Sequence, residues 1–401
     1  MKLDPARPEI APAQSPLPLS LSTDDLGLFF GPHHVALAGR LRELFARGTA
    51  AFSRPEDGAT VARELGEALG LYDHLVPAEG AAIDVRSLVL IREALGQVSA
   101  LADSIFAVQG LGSYPIVLAG TEAQKSAYLP DVITGQRIGA FGLTEPEAGS
   151  DVASLRTTAR RDGDSWILDG EKTLISNVPI AHHHVVFANA DPAAGRRGIT
   201  AFLVERGADG LDLSPIAMSA NHPIGRITLR GCRVPDSARL GDVGRGFGIA
   251  MATLDAFRIS VGAAATGMAT RALALAVDHV RRRVQFGKPL ADQQIVQAMI
   301  ADMATELDAA RLLVLRAAHK KDTAPGPASR ATTEVAMAKM FATEAAQRII
   351  DKAVQLHGGL GVTLETEVEH LYREIRPLRI YEGTTEIQKL IIAKALLSPG
   401  G

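Results

Sequence analysis

The chain has 401 residues, 47% of them hydrophobic and 22% charged, which supplies a large core for about two to three domains of ~100–200 residues each and excludes a mostly disordered protein. Lys plus Arg (42) nearly cancels Asp plus Glu (45), so no global basic field draws the chain to nucleic acid or an anionic membrane, and aromatics at 4% leave few rings for stacking bases. A single cysteine, Cys232, excludes an intrachain disulfide, a CxxC redox pair and a cysteine-built zinc site, and fits a reducing compartment.

Residues 1–22 read as a flexible leader. Pro5, Pro8, Pro12, Pro16 and Pro18 stand among Asp4 and Glu9, which suits neither a secretory core nor an Arg-rich transit peptide, so a cytoplasmic protein is expected. No run of eighteen or more apolar residues follows, and no membrane span is expected. Residues 23–140 read as a helical domain. Val35, Leu37, Leu41, Leu44 and Phe45 recur at helical spacing, and Thr121 with Gln124 forms a capping box that opens a helix ending at Pro130.

Residues 141–240 change character to a central β domain. Ser165–Leu168, Lys172–Ile175, His184–Phe187, Ile199–Val204 and Arg226–Leu229 are short β-rich runs, with Asp162-Gly163, Asp169-Gly170 and Asp209-Gly210 as turns between them. With no helical pattern between these runs, an antiparallel sheet or small barrel is expected. Residues 241–401 return to helix and resemble a four-helix bundle. Ile295, Met299, Met303, Leu307 and Ala310 stripe one long helix, a second runs from about Thr333 to Leu356, and Gly262 to Gly267 permits close helix packing. The fold class is therefore α+β, mostly α.

No phosphate-binding GxxxxGK[ST] and no complete GxGxxG between strand and helix is present, which disfavours a nicotinamide-binding Rossmann domain. His182, His183 and His184 point alternately across a strand and have no cysteine or HExxH beside them, so they make a poor metal site. Cys232 reads as strand packing. The segment Phe141 to Asp151 serves either as a linker or as a polar loop in which Thr144 and Ser150 offer hydroxyls and Gly149 admits a ligand to the backbone. In Tyr381-Glu-Gly-Thr-Thr-Glu-Ile-Gln388, Thr385 and Gln388 read as a capping box. Glu382 stands before it, where burial raises a carboxylate toward general-base range.

Taken together, Gly120–Lys125, Leu143–Asp151, Gly170–Asn177, Arg283–Pro289, Gln355–Gly361 and Ile380–Gln388 resemble the ordered motifs of the acyl-CoA dehydrogenase family, from about Thr23 to Leu397. The resemblance implies FAD lined by Phe141, Leu143, Thr144, Gly149 and Ser150, with Leu174, Ile175 and Ser176 over the ring and the Ser176 hydroxyl near flavin N5. Leu174 stands where the family carries a large aromatic. Arg283, Phe286, Gln294, Gln355, Gly358 and Gly359 match positions that reach the FAD of a neighbouring subunit, which implies a homo-oligomer, most often a tetramer. Thr384 and Glu386 match further cofactor contacts.

Glu382 matches the catalytic base that takes the α-proton of an acyl thioester, while the β-hydrogen passes to flavin N5. Ser150, Asp255, Arg258, Tyr381 and Gly383 match substrate contacts. The alternative base position is Phe257, which cannot accept a proton. The loop Ser219–Arg226 lacks the family's Gly-x-Arg-x-[ST] pattern. The implied activity is α,β-desaturation of an acyl-CoA or acyl-carrier-protein thioester, with electrons passed to an electron-transfer flavoprotein. Alternatives are an oxygen-reducing oxidase or monooxygenase of the same fold and a DNA-associated relative; the net charge of -3 argues against nucleic acid.

Overall fold

The computed structural model describes residues 22–24, 26–46, 58–77, 81–326 and 330–398, and the proline-rich segment lies outside them. Five helices come first: α1 (Pro32–Ala46), α2 (Gly58–Arg63), α3 (Val85–Val98), α4 (Ala100–Ala119) and α5 (Glu122–Thr134). Asp84 caps α3 by accepting from Ser87 N, and Ser99 caps α4 by accepting from Ala102 N, each satisfying a backbone donor that the first turn leaves free. The Thr121–Gln124 capping box is present with both reciprocal bonds. Pro130, however, lies inside α5. The carbonyl one turn before it belongs to exposed Ser126, where water replaces the missing donor, so the helix continues to Thr134. Val35 is also off the buried face of α1, which is made by Leu37, Leu41 and Phe45.

Eight strands follow: β1 (Gly139–Gly142), β2 (Thr158–Asp162), β3 (Ser165–Ser176), β4 (His183–Asn189), β5 (Ile199–Glu205), β6 (Leu211–Pro215), β7 (Ile224–Pro235) and β8 (Arg239–Leu240). They form one sheet in the order β6-β7-β3-β2-β4-β5-β8, with β1 beside β4. The sheet is open, so the barrel alternative does not hold. It is also not wholly antiparallel, because β1 and the first residue of β2, Thr158, pair parallel with β4. Asp169-Gly170 is not a turn; it lies within β3, where the pairing with β7 shifts register between Leu168 and Gly170 and again between Lys172 and Ile175. Cys232 is buried in β7 opposite Leu168, as strand packing requires.

The last third holds α6 (Gly246–Arg282), a hairpin of β9 (Val284–Gln285) and β10 (Lys288–Pro289), α7 (Gln294–Thr323), α8 (Thr332–His357), α9 (Glu367–Ile375) and α10 (Thr385–Leu397). Helices α6, α7, α8 and α10 make the bundle, with α9 packed on α6 and α8. Gly267 allows α6 to meet α3, since a Cβ there would lie 2.2 Å from Glu93 O. The α7 stripe buries Met303 and Ala310, but Ile295 is 75% exposed because it sits in the first turn, beyond the packed seam. Helices α4 and α6 are long and apolar enough on average to cross a membrane, yet 83% and 72% of those stretches are buried within the protein, as core helices are.

The β domain is locked by a buried ion pair. Lys172 Nζ on β3 lies 2.6 Å from Glu145 Oε1, and the same carboxylate accepts from Arg156 N (2.5 Å), Thr157 N (3.0 Å) and Thr157 Oγ1 (2.5 Å). Burial pushes the Glu145 carboxyl up, but Lys172 and these donors outweigh it and hold it below the ordinary range. Lys172→Met strands a buried carboxylate and is expected to cost about 3–5 kcal/mol in chemical denaturation. Lys172→Met combined with Glu145→Gln should recover much of that loss.

Candidate active site

Glu382 sits in the turn between α9 and α10, on the left-handed side of backbone space at φ +53. A non-glycine residue there carries local strain, of the kind that concentrates at functional sites. The next residue, Gly383, has φ +94, and a Cβ on it would lie 2.5 Å from Gln388 Nε2, so only glycine fits.

Buried cations hold the turn in place. Arg258 Nε on α6 donates to Glu382 O (2.9 Å) and its Nη1 pairs with Asp255 Oδ1 (3.2 Å). Lys339 Nζ on α8 donates to Gly383 O (2.8 Å), and Gln388 Nε2 donates to the same carbonyl (3.0 Å). Thr384, rather than Thr385, caps α10 by accepting from Ile387 N. Thr385 Oγ1 instead donates to Glu344 Oε1 (2.7 Å), a carboxylate already paired with Arg379. The cap read at Thr385 thus lies one residue earlier, and it is a single bond rather than a box, because the residue three on is Ile387 and Glu344 on α8 offers Thr385 a charged acceptor.

Glu382 is half-buried as a residue, but its Oε2 is sealed from solvent and has no hydrogen-bond partner. Burial raises its pKa above the ordinary carboxylate value, against the pull of Arg92, Arg258 and Lys339. The surroundings are therefore not simply apolar. Arg92 on α3 is fully buried, pairs bidentately with Asp103 on α4 (2.7 and 2.8 Å) and donates to Ser260 Oγ on α6 (3.0 Å). It also hydrogen-bonds Tyr381, whose phenol burial pushes up. Burial takes the Lys339 ammonium down to about 8. Sequence reading missed Arg92 and Lys339. The available signal was their spacing: Arg92 is four residues after Leu88, and Lys339 is four residues after Val335, each on a buried helical face.

The other residues singled out fall into two groups. Phe141 lies in β1, and Leu143, Thr144, Gly149 and Ser150 follow it, while Leu174, Ile175 and Ser176 end β3; Thr173 N donates to Thr144 O (2.9 Å) and joins the two segments. Leu143 is buried, but its carbonyl accepts from Lys172 Nζ (3.3 Å). Leu174, on a left-handed backbone at φ +55, presents its side chain 57% exposed. Thr144 and Ser176 are partly accessible, and Gly149 has open space around its Cα. Thr384 and Glu386 lie in the first turn of α10.

The second group is turned outward on the C-terminal domain. Arg283, Phe286, Gln294, Gln355, Gly358 and Gly359 are all exposed, and Phe286, at the tip of the β9–β10 hairpin, is 96% exposed. The His279 and His357 rings stack at 4.3 Å, which joins the C-terminal ends of α6 and α8. The chain does not bring this group to its own β1 and β3 ends. Phe257 is fully buried against Tyr114, ring centroids 5.7 Å apart, and offers no carboxylate.

Comparison with known proteins finds matches over most of the chain. Residues 36–136, 140–232 and 244–397 match the N-terminal, middle and C-terminal domains of acyl-CoA dehydrogenase. The chain belongs to the acyl-CoA dehydrogenase family. It is 41% identical over 335 residues to the human mitochondrial short-chain specific acyl-CoA dehydrogenase, covering 82% of this chain and 80% of that one. It is 41% identical over 327 residues to the caffeyl-CoA reductase-Etf complex subunit CarC of Acetobacterium woodii, covering 79% and 84%. A glutaryl-CoA dehydrogenase of Mycobacterium smegmatis in complex with FADH2 superposes with a TM-score of 0.85 at 29% identity, covering 94% of this chain and 97% of that one. The protein is thus an FAD-dependent oxidoreductase of CH–CH groups. The accessible hydroxyls of Thr144 and Ser176 and the outward apolar Leu174 suit a planar ring with polar edges.

His183 and His184 each spend one ring nitrogen on a backbone carbonyl. His183 Nε2 bonds Gly112 O (3.1 Å), His184 Nδ1 bonds Val204 O (3.3 Å), and burial lowers both pKa values, to about 3 and about 4. His33, His34 and Asp84 bring ligand-type atoms within 4.8 Å of one another. Gly31 N, however, donates to His34 Nδ1 (2.9 Å), which makes Nε2 the protonated nitrogen facing Asp84. That cluster is a hydrogen-bonded α3 cap.

Lys339 lowers the Glu382 pKa, so its removal leaves the carboxylate harder to ionise. Lys339→Met should move the acid limb of the flavin-reduction profile to higher pH, measured by stopped flow across pH with a saturating thioester.

Proposed function

We propose that this protein catalyses α,β-dehydrogenation of an acyl-CoA thioester with Glu382 as the base. The observation that carries the reading is the desolvated Glu382 carboxylate, with one oxygen unpartnered and its turn anchored from α6 and α8. An α-proton beside a thioester is weakly acidic, so its removal needs a positioned acceptor and donors for the developing enolate oxygen. Glu382 accepts that proton, and the family resemblance assigns its own backbone N–H to the enolate oxygen. Bound FAD supplies the acceptor for the β-hydrogen and its electron pair. Thr144 and Ser176 orient the ring edge, Leu174 covers it, and Asp255, Arg258, Tyr381, Gly383 and Ser150 hold the thioester.

Electrons then pass to an electron-transfer flavoprotein, a partner supported by the relative whose name places it in an Etf complex. The same relative is a reductase, which fits a site able to run the reaction in either direction. The assembly is a homo-oligomer, most simply a tetramer. The exposed apolar side chains of Phe286, Ile295, Leu360 and Val362 around the ends of α6 and α8 support it, because such a surface on a monomer marks an interface. A cytoplasmic site of action agrees with a lone buried cysteine.

Glu382→Gln keeps the size of the side chain and removes the proton acceptor. Anaerobic stopped-flow reduction should slow by roughly 10²–10⁴-fold, while thioester binding, read from the shift in the flavin spectrum, persists. Equal rates would make Glu382 a structural residue of the turn. Light scattering of the wild type should give a tetramer, and Arg283→Ala should weaken FAD retention on dialysis by removing a charge-assisted contact to phosphate. A monomeric wild type with full FAD occupancy would show that no subunit completes another's site.

A further inference from the structure

The segment between β6 and β7, where the sequence departs from the family pattern, is tied to all three domains. Asn221 N donates to Glu374 Oε1 (2.6 Å) and Arg373 Nη1 donates to Ser219 O (2.8 Å), both from α9. Asn177 N, next to Ser176, donates to Pro223 O (2.6 Å). Between these anchors the His222 imidazole lies between two hydroxyls: Ser104 Oγ of α4 stands against Nδ1, and Ser176 Oγ is 2.6 Å from Nε2.

A neutral imidazole has one donor and one acceptor nitrogen, so the direction of this chain follows from its ends. Burial lowers the His222 pKa to about 4, which keeps the ring neutral near pH 7. Among the described residues neither Ser104 Oγ nor Ser176 Oγ has a partner except this ring. The two ends differ at the proposed ring edge, where N5 of bound FAD offers the Ser176 proton an acceptor and Ser104 has none. The arrangement that uses every donor therefore has Ser104 donating to Nδ1 and Nε2–H donating to Ser176 Oγ, which leaves the Ser176 proton for the ring edge.

We propose that His222 is a positioning residue: through the chain Ser104–His222–Ser176 it turns the Ser176 hydroxyl proton outward, toward the flavin edge. The proposal rests on the proposed reading of Ser176 as a residue of the ring edge, near flavin N5 as the family resemblance implies. In the oxidised ring N5 accepts a hydrogen bond, whereas in the reduced ring it carries a proton. A hydroxyl fixed as donor therefore favours the oxidised form and holds the potential down. A serine free to rotate serves both forms and loses that bias.

The test is the midpoint potential of the FAD-loaded protein, measured by dye equilibration without substrate. His222→Ala should favour the reduced form by about 3–10-fold, which is about 15–30 mV upward for a two-electron couple at 29.6 mV per decade. His222→Gln, whose Nε2 restores a donor, should return toward the wild-type value. Ser176→Ala should also raise the potential, and adding His222→Ala to it should change nothing further. If His222→Ala misfolds, Ser104→Ala reads the same chain from its far end, with a smaller shift of the same sign. A shift for Ser176→Ala with none for His222→Ala or Ser104→Ala, or additive shifts in the double variant, overturns the role of His222. No shift for Ser176→Ala overturns the placement of Ser176 itself, and the proposal with it.

Discussion

A carboxylate taken out of water must be compensated, and the rest of this molecule is arranged around the compensation of Glu382. Desolvation alone would leave Glu382 protonated and useless as a base near neutral pH, whereas a direct ion pair would hold it ionised and too weakly basic. The structure takes a middle course. Arg258 and Lys339 direct their hydrogen bonds to the carbonyls of Glu382 and Gly383 rather than to the carboxylate. Arg92 is neutralised by Asp103. The cations thus act on the carboxylate through space, and Oε2 stays free of donors. Because they come from α3, α6 and α8, the packing of the N-terminal domain against the bundle also sets the basicity of the turn.

The β domain uses the opposite arrangement. Glu145 and Lys172 are in direct contact, and the carboxylate is saturated by Arg156 and Thr157. Such a pair gains little net stability over apolar residues, but it fixes one geometry, because neither charge tolerates the loss of its partner. What it fixes is the relation between the loop after β1 and the end of β3, the two segments that carry Thr144 and Ser176. On the proposed reading, the rigid ion pair serves the segments that hold the ring, and the unpaired carboxylate serves proton transfer.

Much of the plan was legible because it rests on local patterns. The helical, β and helical order follows from periodicity, and the Thr121 cap from four residues of sequence. Glu382 stood out as a charged residue that no cap required. The errors have a common cause, since each depended on what the fold places, or leaves out, beside the segment. Pro130 is tolerated because the carbonyl it leaves unpaired faces water. Asp169-Gly170 bends within β3 because β7 pairs on both sides of it. Thr385 loses the cap to Thr384 because Glu344 reaches it from α8. Arg92, Lys339 and His222 were missed for the same reason. An isolated charge or imidazole in a sequence gives no sign of the carbonyl, carboxylate or hydroxyl it will meet more than forty residues away in most of these contacts.

Relatives named as dehydrogenases and as reductases resemble this chain about equally, and the physical chemistry explains why one site serves both. The base that removes an α-proton returns it as an acid in the reverse reaction, so a carboxyl with a raised pKa is competent in both protonation states. Direction then depends on the free energy of electron transfer, not on which residue moves the proton. On the proposed reading, proton handling belongs to the α9–α10 turn and the ring edge to the end of β3 and the loop before β7. These segments come from different parts of the chain and are held by different polar contacts. The potential at the ring edge can therefore change without altering the base.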